Sequence, residues 1–155
     1  MAYPQGRRVA LSLFDRLTDY DPRNSREVPP PEWEQLRLHK ESVARDLTNL
    51  LNVRRSAQDI PENFVQTRES LVAYGVEDFT TAPMDREAIR RAIERTVRLF
   101  EPRLSRVQVI LVESGDLNFA FRISGLLRID VGLEPVVYDA DLPKDSRWFQ
   151  VMPGR

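Results

Sequence analysis

Glu101-Pro102-Arg103-Leu104 separates two kinds of periodicity in this chain. Before it, Ile89, Ile93, Val97 and Phe100 recur at the spacing of one helix face. After it, Leu117, Phe119, Phe121 and Ile123 alternate with Asn118, Ala120 and Arg122, the pattern of a half-buried strand. Proline disfavours helical geometry at the residue before it, so the helix ends at Glu101. The pattern predicts a helix that runs directly into a sheet, with opposite charges on either side of a rigid residue. That corner is the first candidate for a functional surface.

Upstream of the corner, Asp85 can cap the helix, with Glu87 in its first turn. Residues 68–74 can make two further helical turns, stopped at Gly75, a candidate position for positive φ. Residues 32–52 read as a long amphipathic helix with Leu36, Val43, Leu47, Leu50 and Leu51 on one stripe. His39 lies on the same stripe and is expected to be a satisfied, partly buried histidine. Residues 7–17 form a shorter amphipathic helix, separated by a linker that ends in Pro29-Pro30-Pro31 and allows it to dock away from the longer helix.

Downstream, residues 107–112 (Val107, Gln108, Val109, Ile110, Leu111, Val112) are apolar on nearly both faces, as in a strand covered twice or covered once by a partner. Ser114-Gly115-Asp116 turns this strand into the alternating one, where Gly125 is a candidate bulge. Residues 134–139, through Val136, Val137 and Tyr138, give a third strand, and residues 148–151 a short fourth. The expected class is α+β: N-terminal helices packed on a small, mainly antiparallel sheet of three or four strands, whose edges are open to partners. The expected organisation is a helix and proline-rich linker over 1–31, one domain over 32–151, and a tail over 152–155.

The 155 residues suit a single domain, and 41% apolar with 30% charged residues describes an ordinary globular composition. Cysteine is absent, which removes disulfides, thiolate metal sites and a cysteine nucleophile. Residues 1–10 lack the apolar segment of a signal peptide, and runs such as 109–112 are too short to span a bilayer. A cytoplasmic protein without direct membrane insertion is expected. A net charge of −1 gives no global attraction to nucleic acid or anionic lipid. Between residues 86 and 106, however, seven arginines face only Glu87, Glu94 and Glu101. Lysine occurs only at 40 and 144, so arginine, the cation of bidentate pairs and interfaces, supplies nearly all the positive charge.

No phosphate-cradling loop, nucleophile elbow or metal motif is present, and no cofactor is expected. Glycoside hydrolysis needs only a suitable carboxylate pair. Glu101 could serve as the acid, with Glu113, Asp116 or Asp130 as its partner. With 24 acidic residues such pairs arise by chance, and Glu101 pairs more simply with Arg103 or with an arginine of a neighbouring chain. A nucleic-acid module built on the arginine-rich helix would lack interleaved aromatic residues for stacking.

Four ordered motifs are familiar: Leu13-Phe14-Asp15-Arg16-Leu17; Ser42-Val43-Ala44-Arg45-Asp46-Leu47 with Leu50-Leu51-Asn52 and Arg54; Ser70-Leu71-Val72-Ala73-Tyr74-Gly75 with Asp78-Phe79; and Glu101-Pro102-Arg103-Leu104. Together they resemble the TssE family of type VI secretion baseplate subunits, related to the baseplate wedge protein of contractile phage tails and labelled lysozyme-like after a relative fused to a lysozyme. The resemblance covers about residues 12–151. It implies a non-enzymatic structural subunit in a baseplate docked at the inner membrane, with TssF, TssG and TssK as wedge partners. It further implies a sheet like the handshake domain of the sheath protein, which would link the wedge to the sheath and template the first ring of TssB and TssC. Glu101, Pro102 and Arg103 would then face the wedge. Val107, Val109, Leu111, Val136, Val137 and Tyr138 would belong to the sheath-binding strands, with Val137 of the third strand at the edge that a sheath strand would join.

Overall fold

Helix α1 spans Glu32–Asn52, the limits that the apolar stripe predicts, in a computed structural model that describes residues 15, 17–18, 31–55, 60–61, 63–77, 85–112, 118–129, 132–143, 146 and 148–154. The residue before it is a proline with no capping side chain. Glu32 and Glu34 instead place negative charge in the first turn, where the helix dipole favours it. The face formed by His39, Val43, Leu47, Leu50 and Leu51 is buried. His39 is 1% exposed, so it is a full member of the core rather than a partly buried residue.

From α1 the chain enters a two-residue strand, β1 (Arg54–Arg55), which pairs in parallel with β2 (Val76–Glu77). Nothing in the periodicity announces a pair this short. Between them lie a single helical turn, α2 (Val65–Arg68), and a 3₁₀ turn over Leu71–Ala73, in place of one continuous helix over 68–74. Ser70 explains the break, because its hydroxyl donates back to Thr67 O and accepts from the Val72 amide, competing with helical pairing. Gly75 has φ +104°, and a Cβ there would overlap the carbonyl of Val53, which accepts the Val76 amide at 2.9 Å. Only glycine permits this approach.

Helix α3 (Arg86–Phe100) is capped by Asp85, whose carboxylate accepts the Glu87 amide at 2.9 Å, and it ends at Glu101 as the following proline requires. The chain then makes four strands, β3 (Leu104–Val112), β4 (Asn118–Ile129), β5 (Gly132–Pro143) and β6 (Gln150–Pro153), antiparallel in the order β3-β4-β5-β6. Helix α1 packs over the β6 side of the sheet and α3 over the β3 side. Between helices and sheet are Val107 and Val109 from β3, Phe119, Phe121, Ile123 and Leu127 from β4, and Val136, Tyr138, Ala140 and Leu142 from β5. The class is α+β, as expected.

Three expectations need correction. The bulge lies on β3 rather than at Gly125: register shifts between Ser105 and Gln108, so Arg106 and Val107 oppose one residue of β4. Arg106 takes φ 52°, and Gly125 is the residue facing the bulge, where a Cβ would come within 3.1 Å of Ser105 O. The third strand is longer than 134–139 and lies inside the sheet. Val137 therefore occupies no free edge, since it pairs with Ser124 on one side and its carbonyl accepts the Gly154 amide at 2.8 Å on the other. The residues expected to form a C-terminal tail continue β6 to Pro153.

The outer side of β6 is closed by α1. Asn52 accepts the Phe149 amide at 2.8 Å and donates to the Phe149 carbonyl at 2.9 Å, so its amide group imitates a partner strand. The Thr48 hydroxyl accepts the Val151 amide at 3.3 Å, and Pro153 has no amide hydrogen to offer. Asn52→Ala would strand both backbone groups of Phe149, the residue before β6, at once. Each such loss costs roughly 1–3 kcal/mol, and urea denaturation is expected to show a destabilisation of about 2–3 kcal/mol. An unchanged midpoint would mean that water replaces Asn52 without penalty.

Candidate functional site

The corner predicted from sequence is an internal junction. Because α3 ends at Glu101 and β3 begins at Leu104, the intervening Pro102-Arg103 turn directs both charged side chains beneath α1. Arg103 donates through Nε to Glu101 Oε1 at 2.7 Å and through Nη2 to Glu101 Oε2 at 2.6 Å. The same Nη2 meets Asp46 Oδ2 at 2.6 Å, and Nη1 reaches Ser42 Oγ at 3.3 Å. Ser42 in turn donates to Asp15, which is also paired with Arg45. One guanidinium thus joins the end of α3, the middle of α1 and, through Ser42, the segment that contains Asp15. That segment touches α1 instead of docking away from it; the remainder of the predicted helix over 7–17, Leu17 apart, lies outside the described residues.

Burial sets the electrostatics. Glu101 is 4% exposed, and desolvation alone would lower the pKa of Arg103, but the hydrogen bonds and charges of Glu101 and Asp46 outweigh it and hold the guanidinium above its usual range. Tyr74 lies beside this junction, edge-on to Phe100 with ring centroids 5.3 Å apart. Burial pushes its phenol up, and the negative charges of Asp46 and Glu101 push it further. Asp46, Leu50, Tyr74, Phe100, Glu101, Pro102 and Arg103 line a shallow cavity of about 260 Å³. Among the motif residues at its rim, Pro102 is the exposed one.

The nine residues proposed for partner contact therefore divide. Glu101, Val107, Val109, Val136 and Tyr138 are buried, so their side chains offer nothing to another protein. Arg103 and Val137 are half-buried and engaged within the chain, whereas Pro102 and Leu111 are exposed. Both oxygens of Glu101 are held by Arg103, which is a poor arrangement for a general acid, and its candidate partners Glu113, Asp116 and Asp130 lie outside the described residues.

The free side of β3 carries contacts that periodicity does not reveal. Arg98 donates through Nε and Nη2 to the Val107 carbonyl at 3.1 and 2.7 Å, and Arg90 donates through Nη1 to the Val109 carbonyl at 3.0 Å. Both arginines are held by acids of α3: Arg90 by Glu87 at 2.7 Å and Glu94 at 2.6 Å, and Arg98 by Glu94. Arg90 and Arg98 thus turn their charge back on their own helix and on the adjoining strand. On the far side of β3, Ile110 is 55% exposed, so this face of the strand is left uncovered there by the described residues.

A family model described as baseplate wedge protein gp25 matches residues 37–131. The chain belongs to this family. No curated protein and no solved structure matches it. The matched span contains Ser42, Arg45, Asp46, Glu101 and Arg103 together with Arg90 and Arg98, whereas Asp15 lies outside it. A baseplate family supports a structural role and contact with other baseplate components. Among the described residues no helix is long and apolar enough to cross a membrane.

Two measurements test this chemistry. Arg103→Lys keeps the charge but loses the planar fork, and at a buried network the loss of hydrogen bonds to charged partners is expected to cost about 2 kcal/mol of stability in urea. Equal stability of the two proteins would mean that the fork does not hold the junction together. Tyr138 is fully buried, and its hydroxyl has no hydrogen-bond partner among the described residues. Burial raises its pKa above the ordinary 10.0, with Glu101 adding to the rise and Arg103 opposing it. A raised folded-state pKa means stability that is complete below pH 10.0 and lost as pH rises beyond it. Tyr138→Phe is therefore expected to unfold at higher pH than wild type in an alkaline titration, and a coincident midpoint would contradict the assignment.

Proposed function

We propose that this wedge-family protein is a non-enzymatic subunit of a type VI secretion baseplate, in the place of TssE. In this reading it is cytoplasmic, in a baseplate docked at the inner membrane, and it links TssF, TssG and TssK to the TssB/TssC sheath. It consists of one domain whose sheet, handshake-like, templates the first sheath ring. The observation that carries the reading is the free side of β3, where one apolar face is exposed at Ile110 and, among the described residues, the outward carbonyls of Val107 and Val109 are met by arginine side chains rather than by a strand. An added strand could pair there through its backbone. The opposite edge, β6, is already paired by Asn52 and Thr48.

The Glu101–Arg103 junction enters this reading as the support of the wedge-facing surface. It fixes the angle between α1, α3 and the sheet, and it presents Pro102 and the adjoining cavity. A muramidase has less in its favour, because Glu101, the one candidate carboxylate among the described residues, is tied to Arg103. A nucleic-acid module has less as well, because Arg90 and Arg98 are committed to Glu87, Glu94 and two carbonyls.

Leu111 is the position at which to test strand addition. It lies two residues beyond Val109, so its amide points to the same free side, and Leu111→Pro removes a donor without breaking the β3–β4 ladder. In paired pull-downs, the variant is expected to lose TssB/TssC binding by tenfold or more while retaining TssF, TssG and TssK. Undiminished sheath binding by a variant with native circular dichroism would exclude the β3 edge. Loss of both partner sets would show that the two surfaces are not separate.

A further inference from the structure

The two edges of the sheet are finished by different chemistry, and the difference gives Arg90 and Arg98 a role. In an antiparallel ladder, a residue turns its N–H and C=O to the same side, and successive residues alternate sides. On β3, the carbonyls of Val107 and Val109 accept from arginines of α3, so these residues and Leu111 face away from β4. Along β6 and the Phe149 that precedes it, the outward amides are consumed by Thr48 and Asn52, short uncharged side chains anchored in α1, and by the absence of a donor at Pro153. The β6 edge is closed for good. On β3 the groups in use are acceptors, and they are used by long cationic side chains. The side chain of Arg98 is 57% exposed, so it can leave the edge without crossing the core.

A strand approaching β3 must donate to the carbonyls that Arg90 and Arg98 now occupy. Bare, those carbonyls would accept any extended backbone, a second copy of this chain included. Occupied, they refuse weak partners and yield only to one that adds several backbone bonds and covers Ile110. Displacement strands no charge, because each guanidinium keeps its carboxylate: Glu87 and Glu94 for Arg90, and Glu94 for Arg98.

We propose that Arg90 and Arg98 form a latch over the β3 edge, which blocks edge-to-edge pairing of free subunits and is displaced from Val107 and Val109 by the extended segment of the assembly partner. This rests on the strand-addition reading, and its test requires no sheath protein. Arg90→Met with Arg98→Met keeps the apolar stems and removes the donors. In sedimentation velocity over a range of concentrations, the double variant is expected to self-associate at least tenfold more strongly than wild type. Adding Leu111→Pro is expected to return it to the wild-type value. Arg95→Met serves as a control, since Arg95 meets Glu77 at 3.6 Å and touches no edge carbonyl, and it should sediment as wild type. If the double variant loses its native circular dichroism, Arg98→Met alone, which leaves the pairs of Arg90 in place, gives the same comparison at smaller amplitude. Self-association no stronger than wild type overturns the latch, and so does association that Leu111→Pro fails to reverse. Failure of Leu111→Pro to reduce sheath binding, with the sedimentation results as expected, overturns displacement by the sheath but leaves the guard against self-pairing in place.

Discussion

The guanidinium of Arg103 is the point at which the helices and the sheet are fixed to one another. It lies at the covalent passage from α3 into β3, and it reaches across to Asp46 and Ser42 in the middle of α1. Apolar burial alone would leave the two helices free to slide over the sheet, because hydrophobic attraction has no direction. A planar fork between two carboxylates does have direction, and in a buried setting its geometry is costly to violate. Burial raises the phenols of Tyr74 and Tyr138, and the charge of Glu101 in this junction adds to both rises.

This placement changes the meaning of the motifs. Asp15, Ser42, Arg45, Asp46, Tyr74, Glu101 and Arg103 come from four separated stretches, yet they meet at one junction, either within it or directly beside it. A motif of charged residues around a proline reads, in sequence, as a surface for recognition. Folded, it is mostly an internal brace, and the exposed Pro102 is what it holds out. An assembly subunit needs such a brace, because a surface that moved relative to the sheet would transmit no fixed geometry from one partner to the next.

The parts of the fold that were legible are those in which periodicity and local chemistry agree. Helix α1, the Asp85 cap, the stop before Pro102 and the alternation of β4 each follow from residues close in sequence. The hidden features depend on residues far apart. The β1–β2 pair is two residues long and is defined by Gly75 approaching Val53. Strand order, which moves Val137 from an edge to the interior, depends on β6 pairing with β5, and an alternating pattern in β5 is the same in either position. The side on which a bulge falls is equally hidden, because Gly125 marks the close approach while Arg106 and Val107 supply the extra residue. At the site, the Glu-Pro-Arg stretch was visible, whereas the use of Arg90 and Arg98 was not. Their spacing places both on one side of α3, but only the position of β3 shows that two carbonyls lie within reach.

An open sheet must finish two edges, and here each helix finishes one. Asn52 and Thr48 sit near the end of α1 and bond β6 through short side chains with few rotamers, so little entropy is gained by letting go. Arg90 and Arg98 carry among the largest rotamer entropies of any side chain and are partly solvated at the β3 edge, so release from the backbone regains much of what binding cost. The difference makes the sheet polar in function as well as in order. One side is a permanent end, and the other is held shut by groups that water and neighbouring carboxylates can take back. A strand that adds at β3 therefore competes against side-chain contacts rather than against a paired strand. In the proposed strand-addition reading, growth of the sheet proceeds from that side alone.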